Sequence, residues 1–461
     1  MKKSLIITAA LIGVFSASIS ASALESPLSS QSEITVKAFA GNIKNPSVFA
    51  LANGSSLVSW QEELDGGYFL KTRTISPTNK LGAIQSINSE KAISIGVGSG
   101  TKQTVAINKA GKLFAVWVTQ GLRYGVQSQK IWGRTSIDGT NWSTPFVVLP
   151  GLTVSGDAQD CEMDAMDQPG CGYLRVQAAI DDKNRLAVLV ADNREGIGNR
   201  YRMKATNFLG HWSNLKTLTS TPSMRSSEIV GLTSGFAVSA TRYDSAASNM
   251  VKASYYDPKT ETWTYTLTGT SIPANTVIKS KWVQRSLKKL SLVMASSNEQ
   301  GGISLRNFDT ESKTWSSELI QIKEREANTV FQDVTAAKAG SELVVMFSSY
   351  NQNDGSSQVR VAKNVEGTPT ITVIGTAFDQ MDLLYIGSSL SNTAVVAFNV
   401  SMNGAKLGGT TAETLPITIP NAASNGYLNA MTKSKTDLVQ AVGLKFSEGV
   451  TSVIFIKGFV N

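Results

Sequence analysis

Short apolar runs, each preceded by a turn, recur along the whole chain: NGSSLVSW, KAGKLFAVWV, DKNRLAVLVA, LTSGFAVSA, LKKLSLVMA, KAGSELVVMF, LSNTAVVAF and SKTDLVQAV. Their first apolar residues are Leu57, Leu113, Leu186, Phe236, Leu290, Leu343, Ala394 and Leu438, at spacings of 56, 73, 50, 54, 53, 51 and 44 residues. Each run is preceded by a strand-like segment such as QTVAIN (103–108). It is followed, after a variable loop, by a segment of alternating character: YFLKTRT, IWGRTS, YRMKATN, VKASYYD, GISLRNFD or SQVRVAKN. A further turn leads to a fourth segment such as FVVLP or ITVIG. Stretches rich in Val, Ile, Thr and aromatics between Gly, Asn, Asp and Ser turns predict strands. No stretch keeps a helical period over several turns.

Four predicted strands per unit of about 50 residues, in tandem, are the pattern of a β-propeller. A row of small sandwiches is the rival, but a sandwich needs about 100 residues to bury both sheets. A single 50-residue unit can bury its faces only against neighbours. The apolar second strand agrees, because it is apolar on both sides, as in a sheet covered by two others. The last unit shows three strands, near 426–431, 437–444 and 450–457, while ITVKAFA (34–40) is an orphan before the first unit. Pairing the orphan with the last unit closes the ring and leaves no long edge. The expected fold is therefore all-β, a propeller of four-stranded antiparallel blades. The count reads eight, with seven as the alternative if one paired run is not a blade.

Several turns after the third strand place a Trp behind an acidic or amide residue: SIDGTNW (136–142), TNFLGHW (206–212), YYDPKTETW (255–263) and NFDTESKTW (307–315). The first resembles, one residue shorter, the Asp-box of sialidase-like propellers. The third is similar to the YDPxTxxW turn of kelch repeats. In both families the motif is structural: the Asp caps the turn through backbone N–H groups and the Trp packs between sheets. The resemblance covers about four of the eight units. The kelch glycine doublet and the sialidase arginine triad have no match, so no catalytic residue is carried over.

The ends and composition add a compartment. MKKSLIITAALIGVFSASISASA has two lysines, an apolar stretch over 5–15 and the small-residue pattern Ala21-Ser22-Ala23, which reads as a signal peptide over 1–23 with a single propeller domain over 24–461. The stretch is too short for a stable membrane span. A secreted or periplasmic location follows. The two cysteines, Cys161 and Cys171, are then expected to form a disulfide. The formal charge is +8, or +6 without Lys2 and Lys3. With cations dispersed and no basic block, nucleic-acid binding is not expected.

Chemistry has few addresses. The 73-residue spacing holds SGDAQDCEMDAMDQPGCGY, with Asp157, Asp160, Glu162, Asp164 and Asp167 inside one segment. These carboxylates could ligate calcium, which takes six to eight oxygens, although the EF-hand pattern is missing. Pairing with Arg or plain solvation are the other readings, and a disulfide-closed structural loop is the leading one. In a propeller this loop lies on the face formed by the second-to-third-strand and inter-blade loops. On the same face the loops of units two to four bring Arg123 and Tyr124, then Asp192, Arg194 and Glu195, then Arg242, Tyr243 and Asp244. Arg forks hold carboxylate or sulfate groups and Tyr rings stack on sugars. With His211 the one histidine and placed in a turn of the opposite face, a Ser-His-Asp triad or a multi-histidine metal site is excluded. A two-carboxylate glycosidase mechanism stays chemically open. The expected function is an exported binding platform for a glycan or a cell-surface protein, with a sialidase-like hydrolase or lyase as the alternative.

Overall fold

The computed structural model describes residues 28–460 except 65–66, 95–104, 124–125, 154–173, 193–198, 222, 244–250, 268–276, 297–300, 378–383, 389–393, 402–403, 411–416, 419–425, 434–437 and 448. At several strand ends only the backbone is described. The described residues form seven antiparallel sheets and no helix. The third unit shows the plan: Leu174–Ile180, Leu186–Asp192, Asn199–Ala205 and Lys216–Thr221 pair in chain order as a meander. The fourth unit repeats it with Ser223–Gly231, Phe236–Tyr243, Val251–Asp257 and Thr262–Leu267. The fifth (Val277–Glu324), sixth (Thr329–Ala377) and seventh (Leu384–Thr418) follow the same order, the fifth with its outer strand split in two. Units one and two share a single nine-stranded sheet, because the short strand Ala92–Ser94 pairs with both Gly67–Ile75 and Leu113–Arg123. Hydrogen bonding thus yields seven sheets where the sequence spacing yields eight units.

The first strand of each unit contacts the first strand of the next from the third unit through the eighth, and the first strand of the eighth, Gly426–Lys433, contacts Ile43–Ala50 of the first. This is the ring of inner strands that defines a β-propeller. Closure is made by the N-terminal strand Leu28–Phe39, which pairs antiparallel with Val450–Val460 from Leu28↔Val460 to Phe39↔Thr451. The orphan strand read from the sequence has this role. It is longer than the 34–40 segment because the ladder extends to Leu28.

The cores lie between sheets. One cluster joins Phe114, Val116 and Ile131 to Val176, Ala178 and Val190, across units two and three. Others join units three and four (Leu189, Tyr201, Phe236), four and five (Ala253, Leu292, Phe308), and five and six (Val293, Leu305, Phe347). The closing cluster combines Val36, Phe455 and Leu444 with Val48, Val58 and Trp60. The second strands are buried on both faces, as in Leu186–Asp192 and Lys289–Ser296. That is why their sequences lack the alternation of a half-exposed strand. The turn tryptophans fill the inter-sheet spaces as expected. Trp212 packs on the cluster of units two and three, with Phe114 at 6.4 Å, and Trp315 on that of units four and five, with Phe308 at 5.2 Å.

Polar turns tie the units on one face. Asp138 accepts backbone N–H bonds from Thr140 (2.8 Å) and Asn141 (2.7 Å), and Asn207, Asp257 and Asp309 cap the matching turns of the next three units. The position needing a left-handed backbone is Gly139 (φ 74°) or Gly210 (φ 82°) in the shorter turns, and Glu261 (φ 55°) or Lys313 (φ 59°) in the longer ones. The two non-glycine residues reach back to the preceding turn: Glu261 accepts from Asn207 at 3.4 Å and Lys313 pairs with Asp257. A second tie runs through the turns between first and second strands. Asp181, fully buried, accepts from the backbone N–H groups of Lys183, Arg185 and Gly235 and from the Arg185 guanidinium at 2.8 and 2.5 Å. Its backbone carbonyl accepts from Asn108 Nδ2 at 2.9 Å, so three units meet at one residue, two of them at its carboxylate.

Candidate functional site

The ends of the strands opposite these turns form the loop face. Of the eight residues expected to contact ligand, Asp192 has a described side chain. Arg123, Arg242 and Tyr243 lie on described strand backbone at the loop-side ends of Leu113–Arg123 and Phe236–Tyr243. Tyr124, Arg194, Glu195 and Asp244 lie outside the described residues, as do Cys161, Cys171 and the acidic positions 157, 160, 162, 164 and 167. Among the described residues, no group of three or more His, Cys, Asp or Glu side chains could hold a metal ion.

Asp192 ends the second strand of unit three, and its carboxylate is fully buried. Its Oδ2 meets Arg202 Nη1 at 3.2 Å, across the hairpin from the third strand. The carboxylate is thus engaged by an arginine of its own blade. Arg202 sits on YRMKATN, an alternating strand whose polar positions carry no local sign of this partnership.

The inner strands add charge pairs that local sequence reasoning missed. Glu228 on Ser223–Gly231 pairs with Lys281 on Val277–Gln284, and its other oxygen accepts the Trp282 N–H at 2.9 Å. Lys279, on the same inner strand as Lys281, pairs with Asp333 of Thr329–Ala339. Three consecutive inner strands are therefore linked acid to base around the axis. Neighbouring blades supply the two partners of each pair, about 50 residues apart in sequence, so no short motif encodes them.

Unit six adds a third arrangement. Glu326, before its first strand, is held by Arg360 through two bonds of 2.9 and 3.2 Å and by Lys323 at 2.8 Å. The Arg360 bonds come first in holding its carboxyl down at about 2; burial opposes them and the Lys323 bond adds to them. Such a group is an acceptor at every physiological pH and cannot serve as a general acid.

Unit one differs. Glu63 and Tyr68 face each other across a hairpin, and the Tyr68 hydroxyl donates to Glu63 Oε2 at 3.4 Å. Asn42 Nδ2 donates to the same oxygen at 2.8 Å, and Lys44 Nζ donates to the Tyr68 hydroxyl at 3.4 Å. The neighbouring carboxylate, Glu62, accepts the Trp60 indole N–H at 2.9 Å. The Tyr68 hydroxyl is thus held on both sides, donating to a carboxylate and accepting from an ammonium group.

No family model matches the chain, and no curated protein does. Solved structures are similar in backbone path. NanB sialidase from Streptococcus pneumoniae superposes with a TM-score of 0.38 at 12% identity, covering 91% of this chain and 69% of that one. A polysaccharide lyase, an ulvan lyase, gives a TM-score of 0.44 at 12% identity, covering 83% and 98%. An α-L-arabinofuranosidase from Fusarium graminearum gives 0.40 at 12% identity, covering 62% and 92%.

Proposed function

We propose that the protein is an exported propeller that binds a glycan on its loop face, around units two to six. The observation that supports this most is the state of the carboxylates at that face and along the inner strands below it. Asp192, Glu228, Asp333 and Glu326 are each paired with an Arg or Lys drawn from another strand. Side chains fixed in this way present hydrogen-bonding groups without the entropic cost of ordering them on binding, which suits a ligand made of hydroxyl groups. Arg123, Tyr124, Arg194, Glu195, Arg242, Tyr243 and Asp244 are proposed as the loop-borne contacts. The test is a glycan array followed by titration of the retained glycan. Replacing Arg123, Arg194 and Arg242 together by Ala should weaken binding at least about tenfold, at the level of one lost charged hydrogen bond. An array with no retained glycan, or full affinity in the triple variant, refutes the assignment.

A hydrolase or lyase is the second reading, and the Tyr68–Glu63 contact favours it. Tyrosine can act as a nucleophile or base when a neighbouring group takes its proton. Turnover of labelled polysaccharides that disappears in Tyr68→Phe would establish this reading. Turnover equal to the parent's would remove Tyr68 from it.

A further inference from the structure

The turn face, opposite the loops, carries an apolar pattern with no part in the loop-face proposal. Among the described residues, four large apolar side chains are more than half exposed: Ile137 (77%), Phe208 (77%), Leu287 (71%) and Leu209 (63%). All four stand in turns of this one face. Ile137 and the Phe208–Leu209 pair follow the third strands of units two and three, and Leu287 joins the first two strands of unit five. The other exposed large apolar residues, such as Val147 and Val373, lie on strands and are each less than half exposed. Scattered apolar side chains on a surface are ordinary, but their gathering on one face marks a contact surface.

Turn chemistry does not require these residues. After the capping side chain come Gly139 and Thr140 in unit two, Pro258 and Lys259 in unit four, and Thr310 and Glu311 in unit five; unit three has Phe208 and Leu209 there. The cap works in all four turns, so the apolar pair adds nothing to it. The pair lines a groove of about 610 Å³ between units two and three, whose lining includes Lys112, Lys183 and Arg185 and no carboxylate. Arg185 is spent on Asp181, but among the described residues the Lys112 and Lys183 ammonium groups form no ion pair. The acids nearest in sequence are already engaged: Asp182 pairs with Lys109 at 3.0 Å, and Asp138 accepts from donors of its own turn.

We propose that the turn face docks on an anionic lipid bilayer. Phe208, Leu209, Ile137 and Leu287 enter the headgroup boundary, and Lys112 and Lys183 meet lipid phosphates. The spread of the tips selects this partner. Units three and four stand between Ile137 and Leu287, and packed sheets are about 10 Å apart, so no small ligand touches all four tips. A bilayer is broad and deformable and meets them together, taking apolar side chains into the boundary between headgroups and acyl chains. The charge is complementary as well. Ammonium groups without a carboxylate partner, set beside apolar tips, are drawn to anionic headgroups. Their methylene stems cover apolar surface while the charged ends stay among the phosphates.

The experiment sediments the full chain with vesicles of phosphatidylcholine alone, or of phosphatidylcholine and phosphatidylglycerol in equal parts, at low and at high salt. Binding should saturate on the anionic vesicles, weaken as salt is added, and be at least about tenfold weaker on the neutral ones. Phe208→Ser with Leu209→Ser should weaken it at least about tenfold, the effect of one apolar side chain no longer buried. Lys112→Gln and Lys183→Gln should each weaken it about fivefold. Leu287→Ser, at the far side of the patch, should weaken it about fivefold as well. The substituted side chains make no core contact, so the melting temperature should match the parent's in every variant, which separates lost docking from lost folding. No sedimentation with anionic vesicles, equal binding to both vesicles, or full binding in the Phe208/Leu209 or Leu287 variant overturns the proposal. A protein-binding face would give the first of these results. The vesicles carry no glycan, so this result and the glycan-array result fail independently.

Discussion

Replacing Asp181 by Ala tests the idea that polar turns, as well as apolar cores, hold the units together. Asp181 is fully buried, and the side chain of its partner Arg185 is 9% exposed. The substitution removes one acceptor group serving three backbone N–H groups from two units, and it strands a guanidinium whose one remaining bond among the described residues is to Ser234 at 2.9 Å. Breaking a buried pair from one side costs about 3–5 kcal/mol, mostly from the charge left behind. For a chain of this length the unfolding entropy is about 1 kcal/mol per degree, so the melting temperature should fall by about 3–5 °C. Differential scanning calorimetry at neutral pH measures it. Asp181→Ala combined with Arg185→Met should recover part of the loss, because it removes the stranded charge. A drop under about 1 °C in the single variant, or a double variant less stable than the single one, would refute the reasoning.

Gly235→Ala should destabilise by about 2–3 kcal/mol in the same assay, since its φ is 86° and the new Cβ would stand 2.4 Å from the Tyr256 carbonyl oxygen. Phe455→Ala, in the fully buried cluster that closes the ring, should cost about 3–5 kcal/mol and make the N-terminal strand accessible to limited proteolysis; unchanged protease resistance would contradict its closing role. For Glu326 the carboxyl lies lower in the folded chain, at about 2, than its ordinary 4.5. The stability it adds is therefore complete above about pH 4.5 and lost as pH falls towards 2. The group is 42% exposed, so screening limits the effect to about 1 kcal/mol. Glu326→Gln should flatten that part of the stability–pH curve, and an identical acid limb in the variant would contradict the assignment.

How much of this was legible in advance depended on sequence distance. The units, their four strands, the doubly buried second strand and the capped Trp turns all depend on residues within about ten positions of one another, and all could be read directly. Ring closure was legible too, though only by counting: one strand was missing at one end and one was spare at the other. The charge pairs Glu228–Lys281 and Lys279–Asp333 join neighbouring blades across about 50 residues, and the Asp181 junction gathers Asn108, Arg185 and Gly235 from three units. Nothing local marks such partners, since a Lys on an inner strand looks the same in sequence whether it meets water or a carboxylate.

By itself the sequence determined the repeating β-unit and its capped turns, because turn chemistry and strand periodicity act over a few residues. Only the tertiary structure decided that the Ala92–Ser94 strand would fuse the first two units into one sheet, that Asp192 would meet Arg202, and that Trp212, Tyr256 and Trp263 would enclose one cleft. Those outcomes turn on the distance between blades, which is set by the packing of whole sheets and not by any short segment.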